Sequence, residues 1–140
     1  MSARSDRHGA LLDAVRAAFP AVPYLGAVTK DDDHPEPEEI DEDVVELYTQ
    51  LKGRRWTEVP EDLLLRQPDG YLLLTPEAWA AFLPAWLVRS LNNPGGENEI
   101  REFLTYTLAN GWFPERLKML SRAQRDAVEG IFKEFEEETV

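Results

Sequence analysis

From Asp6 to Phe19 the apolar positions Leu11, Leu12, Val15, Ala18 and Phe19 fall at the i, i+3, i+4 spacing of one helical face, and Pro20 stops the run. The period returns between Asp41 and Lys52 through Val44, Leu47, Tyr48 and Leu51. Acids fill the first turn of that segment, where the helix dipole favours negative charge, and Gly53 stands just past its end. Pro60 opens a short helical piece that runs to Arg66. Pro68-Asp69-Gly70 is a turn, because the fixed φ of proline is followed by residues that tolerate unusual backbone angles. Leu72 to Leu74 is an apolar lead-in, since a strand there would lack a partner elsewhere in the chain.

The next stretch, TPEAWAAFLPAWLVRSL from Thr75 to Leu91, breaks the amphipathic pattern. Thr75 is an N-cap, and Pro76 at the first helical position gives up a donor that would have been unpaired anyway. Trp79, Phe82, Leu83, Trp86 and Leu87 form a broad apolar stripe, while the opposite side carries Ala80, Ala81, Ala85 and Val88 in place of charges. A helix apolar all round is buried on more than one side. It is expected at the centre of the fold, with a kink at Pro84 or two helices meeting there, because proline removes the hydrogen bond to the Ala80 carbonyl. Asn92 to Gly96 reads as a loop, and Glu99 to Ala109 resumes a helix with Ile100, Phe103, Leu104 and Leu108 inward. Leu117, Met119 and Leu120 read as buried. Ser121 to Gln124 is a capping box that starts a last helix burying Ala127, Val128, Ile131, Phe132 and Phe135. Glu136 to Glu138 oppose the dipole of that helix, so residues 136–140 are expected to form a frayed acidic tail.

These elements predict an all-α fold: one compact domain over residues 1–140, a bundle of about five or six helices around a central Pro-kinked apolar helix. With 140 residues, 43% of them hydrophobic, and four tryptophans, the chain can bury one core. There is no cysteine, which removes disulfides and thiolate chemistry and suits a reducing cytoplasm. The longest apolar run, Ala78 to Val88, has eleven residues, short of the roughly 18 a membrane span needs, and the polar first residues are not a signal peptide.

The string from Leu51 to Leu91 resembles a family of small bacterial proteins known as a domain of unknown function. The resemblance is carried by Gly53-Arg54-Arg55-Trp56, by the helix start Thr75-Pro76-Glu77-Ala78-Trp79, and by the core Phe82-Leu83-Pro84-Ala85-Trp86-Leu87. It extends over about residues 10 to 138, including the Ser121 to Gln124 helix start. It implies a globular fold and a bend at Pro84, and it implies no activity.

Charge is distributed unevenly within the net −12. Residues 31–46 hold ten Asp or Glu and no Lys or Arg, whereas residues 47–128 carry ten of each sign. The acidity therefore belongs to one segment and the C-terminal end. Residues 31–39, DDDHPEPEE, lack apolar anchors and read as a solvated acidic loop within the domain. It either only solubilises the protein or forms, as Asp31, Asp32, Asp33, Glu36, Glu38 and Glu39 with Asp41, Glu42 and Asp43, an interaction surface for a basic partner.

The chain carries few residues placed for chemistry. His8 lies in the polar N-terminus and His34 in the acidic run, so neither is placed as a base beside a nucleophile. Metal-ligand spacing and phosphate-cradling glycine motifs are absent. No catalytic residue, cofactor or metal is assigned, and the protein is read as not an enzyme. Trp56, following Arg54 and Arg55, reads as a core anchor whose neighbouring cations complement the end of a helix; the other reading is an anion or ligand pocket of Arg54, Arg55, Trp56 and Trp112. A second basic cluster, Arg116, Lys118, Arg122 and Arg125, does not offset a chain too acidic for sequence-independent binding of nucleic acid. Two functions of different class follow. One is a cytoplasmic, non-catalytic acidic interaction module, of the immunity or inhibitor type, that binds a basic protein. The alternative is a small-molecule or anion-binding protein, or a weak enzyme, that uses the Trp/Arg pocket.

Overall fold

A computed structural model describes residues 3–29, 42–92, 99–109, 116 and 118–138. The described residues contain six α-helices: α1 (Ala3–Ala18), α2 (Glu42–Leu51), α3 (Glu61–Arg66), α4 (Pro76–Leu91), α5 (Glu99–Ala109) and α6 (Arg122–Glu138). Two 3₁₀ turns, Trp56–Glu58 and Gly70–Leu73, link α2 to α3 and α3 to α4. No strand occurs among these residues, and the fold is all-α. The acidic run from Asp31 to Asp41 and the loop at Asn93 to Gly96 lie outside the described residues.

The apolar character of α4 sets the architecture. Ten of its sixteen residues are buried, and Trp79, Phe82, Leu83, Trp86 and Leu87 have no exposed surface. Ala80, Ala81 and Val88, on the far side, are half-buried against the same core. Pro84 lies inside one continuous helix, so two helices do not meet at that residue. The Ala80 carbonyl that loses its donor to Pro84 belongs to the half-buried side of the helix. The start of α4 is fixed by Thr75: its hydroxyl oxygen accepts from the Ala78 amide at 3.2 Å and donates to the Ala27 carbonyl at 2.7 Å.

That second bond ties α4 to an extended segment. The Thr75 amide donates to the Val28 carbonyl, and Thr29 forms an isolated antiparallel bridge with Leu74. Leu72 to Leu74 thus finds, at Leu74, a partner that the sequence pattern did not reveal, because a single bridge has no periodicity. Further back, the Tyr24 amide donates to the Arg54 carbonyl and the Gly53 amide to the Tyr24 carbonyl, which zips residues 24 to 29 along the end of α2 and the start of α4. Gly53 has φ of 76°, a left-handed conformation that glycine adopts without strain at a helix end.

Around α4 the other helices bury much of the faces their spacing predicts, with Val44 and Phe103 only half-buried and the side chain of Leu108 outside the described residues. Val15 and Phe19 of the α1 segment, Leu47 and Leu51 of α2, and Ala127, Val128, Ile131, Phe132 and Phe135 of α6 are all in the core. Of Leu117, Met119 and Leu120, all expected to be buried, Leu120 is in the core, Met119 is 45% exposed because it sits in a turn before α6, and Leu117 lies outside the described residues. The capping box is formed in both directions: the Ser121 hydroxyl accepts from the Gln124 amide, and the Gln124 side chain accepts from the Ser121 amide. Gln124 also donates to the Ala18 carbonyl and so joins the start of α6 to the end of α1. The carboxyl-terminal turns of α6 continue to Glu138, supported by Arg101 of α5, which donates to the Phe135 carbonyl at 2.9 Å and lies 4.8 Å from the centre of its ring. An arginine at the negative end of a helix offsets the opposing glutamates.

Three buried polar groups specify how these elements fit. Trp86 donates its indole N–H to the Gln67 carbonyl at 3.1 Å and meets Tyr71 edge to face at 6.0 Å. Gly70 sits beside them, and a Cβ there would lie 3.2 Å from side-chain atoms of Gln67, Leu47 and Trp86. The Tyr71 hydroxyl lies 3.0 Å from Thr107 Oγ1, and the Thr107 hydroxyl donates to the Phe103 carbonyl. Threonine has one hydroxyl proton, so Tyr71 is the donor of that pair.

Trp86→Ala deletes a fully buried side chain and its hydrogen bond, and is expected to lower unfolding free energy by about 3–5 kcal/mol. Urea melts followed by circular dichroism check this; an unchanged midpoint would show that the α4 stripe is not core. A second test uses pH. Burial pushes Tyr71 up to about 12 from an ordinary value of 10.0. Folding therefore disfavours its ionised form, so this stability is intact below pH 10 and is lost as pH rises towards 12. Wild type should lose up to about 3 kcal/mol more than Tyr71→Phe across that window.

Candidate functional site

The 3₁₀ turn Trp56–Glu58 is held by its own residues. The Arg55 amide donates to Glu58 Oε1 at 2.8 Å, and the Arg55 guanidinium lies 3.5 Å from the same carboxylate. The amide bond, more than the arginine charge, holds Glu58 below the ordinary carboxylate value. With the turn fixed, Trp56 points inward, 7% exposed, and donates its indole N–H to the Phe19 carbonyl at 2.8 Å. The expected core anchor is therefore present.

One edge of Trp56 remains at the wall of a cleft of about 450 Å³ between this turn, α3 and the last turns of α4. Val59, Leu64, Ala85 and Val88 supply the rest of its apolar surface, and Thr57, Glu61, Arg89 and Asn92 its polar groups. Arg89 Nη2 lies 3.2 Å from Glu61 Oε1, with the arginine side chain 22% and the glutamate 66% exposed. Arg54 and Arg55, expected beside Trp56 in a pocket, are not among the lining residues. Arg54 donates to the Glu58 carbonyl and Arg55 to the Ala21 carbonyl, so both clamp the backbone around the turn. Trp112 lies outside the described residues. The cation that does line the cleft comes from α4, and it is placed there by the register of α4 against α3. A lone arginine in an apolar helix was the available signal.

The acidic candidates divide in a similar way. Asp31, Asp32, Asp33, Glu36, Glu38, Glu39 and Asp41 lie outside the described residues, and Glu42 and Asp43 are exposed in the first turn of α2. One helical turn on, Glu46 is engaged: it accepts from Gln67 Nε2 at 2.9 Å and from Arg66 Nη2 at 3.0 Å. These bonds, Gln67 first, hold its carboxyl below the usual range. Gln67 also donates to the Asp43 carbonyl at 3.1 Å, so α2 is pinned to the end of α3 beneath the exposed acids.

Elsewhere the titratable groups serve packing. Glu134, 4% exposed on α6, faces Arg7 at 3.1 Å and His8 at 3.6 Å from α1. His8 is therefore part of a helix–helix contact. Burial holds Arg116 below the ordinary arginine value despite the nearby Glu77 charge. Among the described residues, no group of three or more His, Asp or Glu side chains is placed to hold a metal ion, and no helix is long and apolar enough to cross a membrane. Comparison of the chain with family models, with curated proteins and with solved structures finds no match.

Glu46 yields a prediction with a definite sign. Its folded value is depressed, so its contribution is present above the ordinary value of 4.5 and is lost as pH falls through the lower folded value. Glu46→Gln should therefore be less stable than wild type above the carboxylate range and approach it as pH falls, which flattens the acid limb of the profile read from urea melts.

Proposed function

We propose that the protein is a non-catalytic interaction module that presents its acidic segment and the start of α2 to a basic protein, in the manner of an immunity or inhibitor protein. The observation that carries this reading is the separation of charge: ten acids and no base in residues 31–46, beside a region, residues 47–128, with equal numbers of both signs. A field concentrated in one place speeds encounter with an oppositely charged surface and suppresses wrong partners. The structure adds a rigid base for that field. Glu46 spends its carboxylate on Arg66 and Gln67 and so fixes the helix in whose first turn Glu42 and Asp43 are exposed. A cysteine-free chain is suited to the cytoplasm, where the reading places it.

The test begins with cross-linking to identify the partner and proceeds to association kinetics. Neutralising Asp31, Asp32, Asp33, Glu36, Glu38 and Glu39 to Asn and Gln should slow association by about tenfold or more at low salt and flatten its salt dependence. Thermal unfolding should shift by no more than a few degrees, because the sequence DDDHPEPEE offers no large apolar side chain to bury. An association rate indifferent to the neutralised segment would overturn the proposal.

A further inference from the structure

The cleft beside Trp56 is lined by residues between Trp56 and Asn92, none of them an acidic candidate of residues 31–43, and its chemistry is of a different kind. Its volume of about 450 Å³ lies in the range of small-molecule sites, roughly 300–1,000 Å³. Trp56, Leu64, Ala85 and Val88 give it an apolar wall, and Arg89 and Glu61 set opposite charges 3.2 Å apart within it.

The arginine is under-compensated. Its Nε is buried and has no hydrogen-bond partner among the described residues, and its one ion-pair partner there is the mostly exposed Glu61. A guanidinium withdrawn from water gains from a well-placed anion, and an ion pair with an exposed member is held weakly. A ligand can therefore separate the two at little cost, provided that it replaces what each loses. A simple anion would satisfy Arg89 while bringing a second negative charge next to Glu61, in a chain of net charge −12. A simple cation would meet Arg89. A zwitterion gives each side chain its complement and leaves the charge of the cleft unchanged.

We propose that this cleft binds an α-amino acid with a large apolar side chain, its carboxylate on Arg89, its ammonium on Glu61 and its side chain against Trp56 and Leu64. Asn92 and Thr57 are the neutral polar groups available to the same ligand. The competing account is that Arg89 and Glu61 only clasp α4 to α3.

Calorimetric titration of the full chain with leucine, phenylalanine and tryptophan separates these accounts. At least one of the three should bind saturably with a Kd of about 1 mM or tighter. Its amide, which lacks the carboxylate, its N-acetyl derivative, which lacks the ammonium, and glycine, which lacks the apolar body, should each bind at least about tenfold more weakly. Glu61 is exposed, so Glu61→Gln should fold normally, with an unchanged urea midpoint, and should bind the N-acetyl derivative as well as the free amino acid. Arg89→Gln, checked for folding by circular dichroism, should lose the preference for a free carboxylate. No saturable binding of any of the three would overturn the proposal, as would equal binding of phenylalanine and 3-phenylpropionate. So would an unaltered preference in the Glu61→Gln protein, because a clasp alone predicts no ligand selectivity at that residue.

Discussion

Trp86 and its indole hydrogen bond to the Gln67 carbonyl are the contact on which the remaining packing depends. The ring lies at the middle of α4, against Tyr71 and Gly70, and the carbonyl it needs belongs to the residue that ends α3. Fixing that bond sets the height of α3 along α4. It also brings Tyr71 to Thr107 and hence α5 to the same side. Glycine at position 70 follows from the same constraint, since three side chains converge where a Cβ would stand.

The two tryptophan hydrogen bonds share a physical logic. A helix leaves its last carbonyls without intrahelical donors, and a buried indole leaves an N–H without water. Trp56 donates to the carbonyl of Phe19, just beyond α1, and Trp86 to that of Gln67, just beyond α3. Each pairing removes two deficits at once and ties a helix end to the core by a directional bond. Apolar contact alone would allow the helices to slide. The indole bonds fix their ends.

Most of the helices were legible in the sequence because periodicity and caps are local properties. The buried set of α6, the Thr75 cap and the Ser121 box follow from residues within one or two turns of each other. What the sequence hides depends on register between elements. Arg89 meets Glu61, Tyr71 meets Thr107 and Thr29 meets Leu74 across 28, 36 and 45 positions, and nothing in the local pattern of either partner names the other. The basic residues beside Trp56 illustrate the difference. Adjacency in sequence left open a shared pocket for Arg54, Arg55 and Trp56 beside the core-anchor reading, yet the turn directs the arginines to backbone carbonyls and the indole N–H to the Phe19 carbonyl, with one edge of the ring on the cleft.

The pairing of α1 with α6 has a bearing on how the chain is made. Arg7 and Glu134 are separated by 127 positions, and Gln124 reaches back to Ala18 across 106. Because Gln124 and Glu134 follow their α1 partners by more than a hundred positions, the contacts between α1 and α6 form only after the intervening helices have left the ribosome. Contacts of such long range are slow to form because loop closure precedes their reward. The intervening helices can gather around α4 before α1 and α6 pair. A chain stopped before α6 would leave uncovered the part of α1 that α6 meets, Leu11 beside Gly130 included, a surface that invites association with other nascent chains.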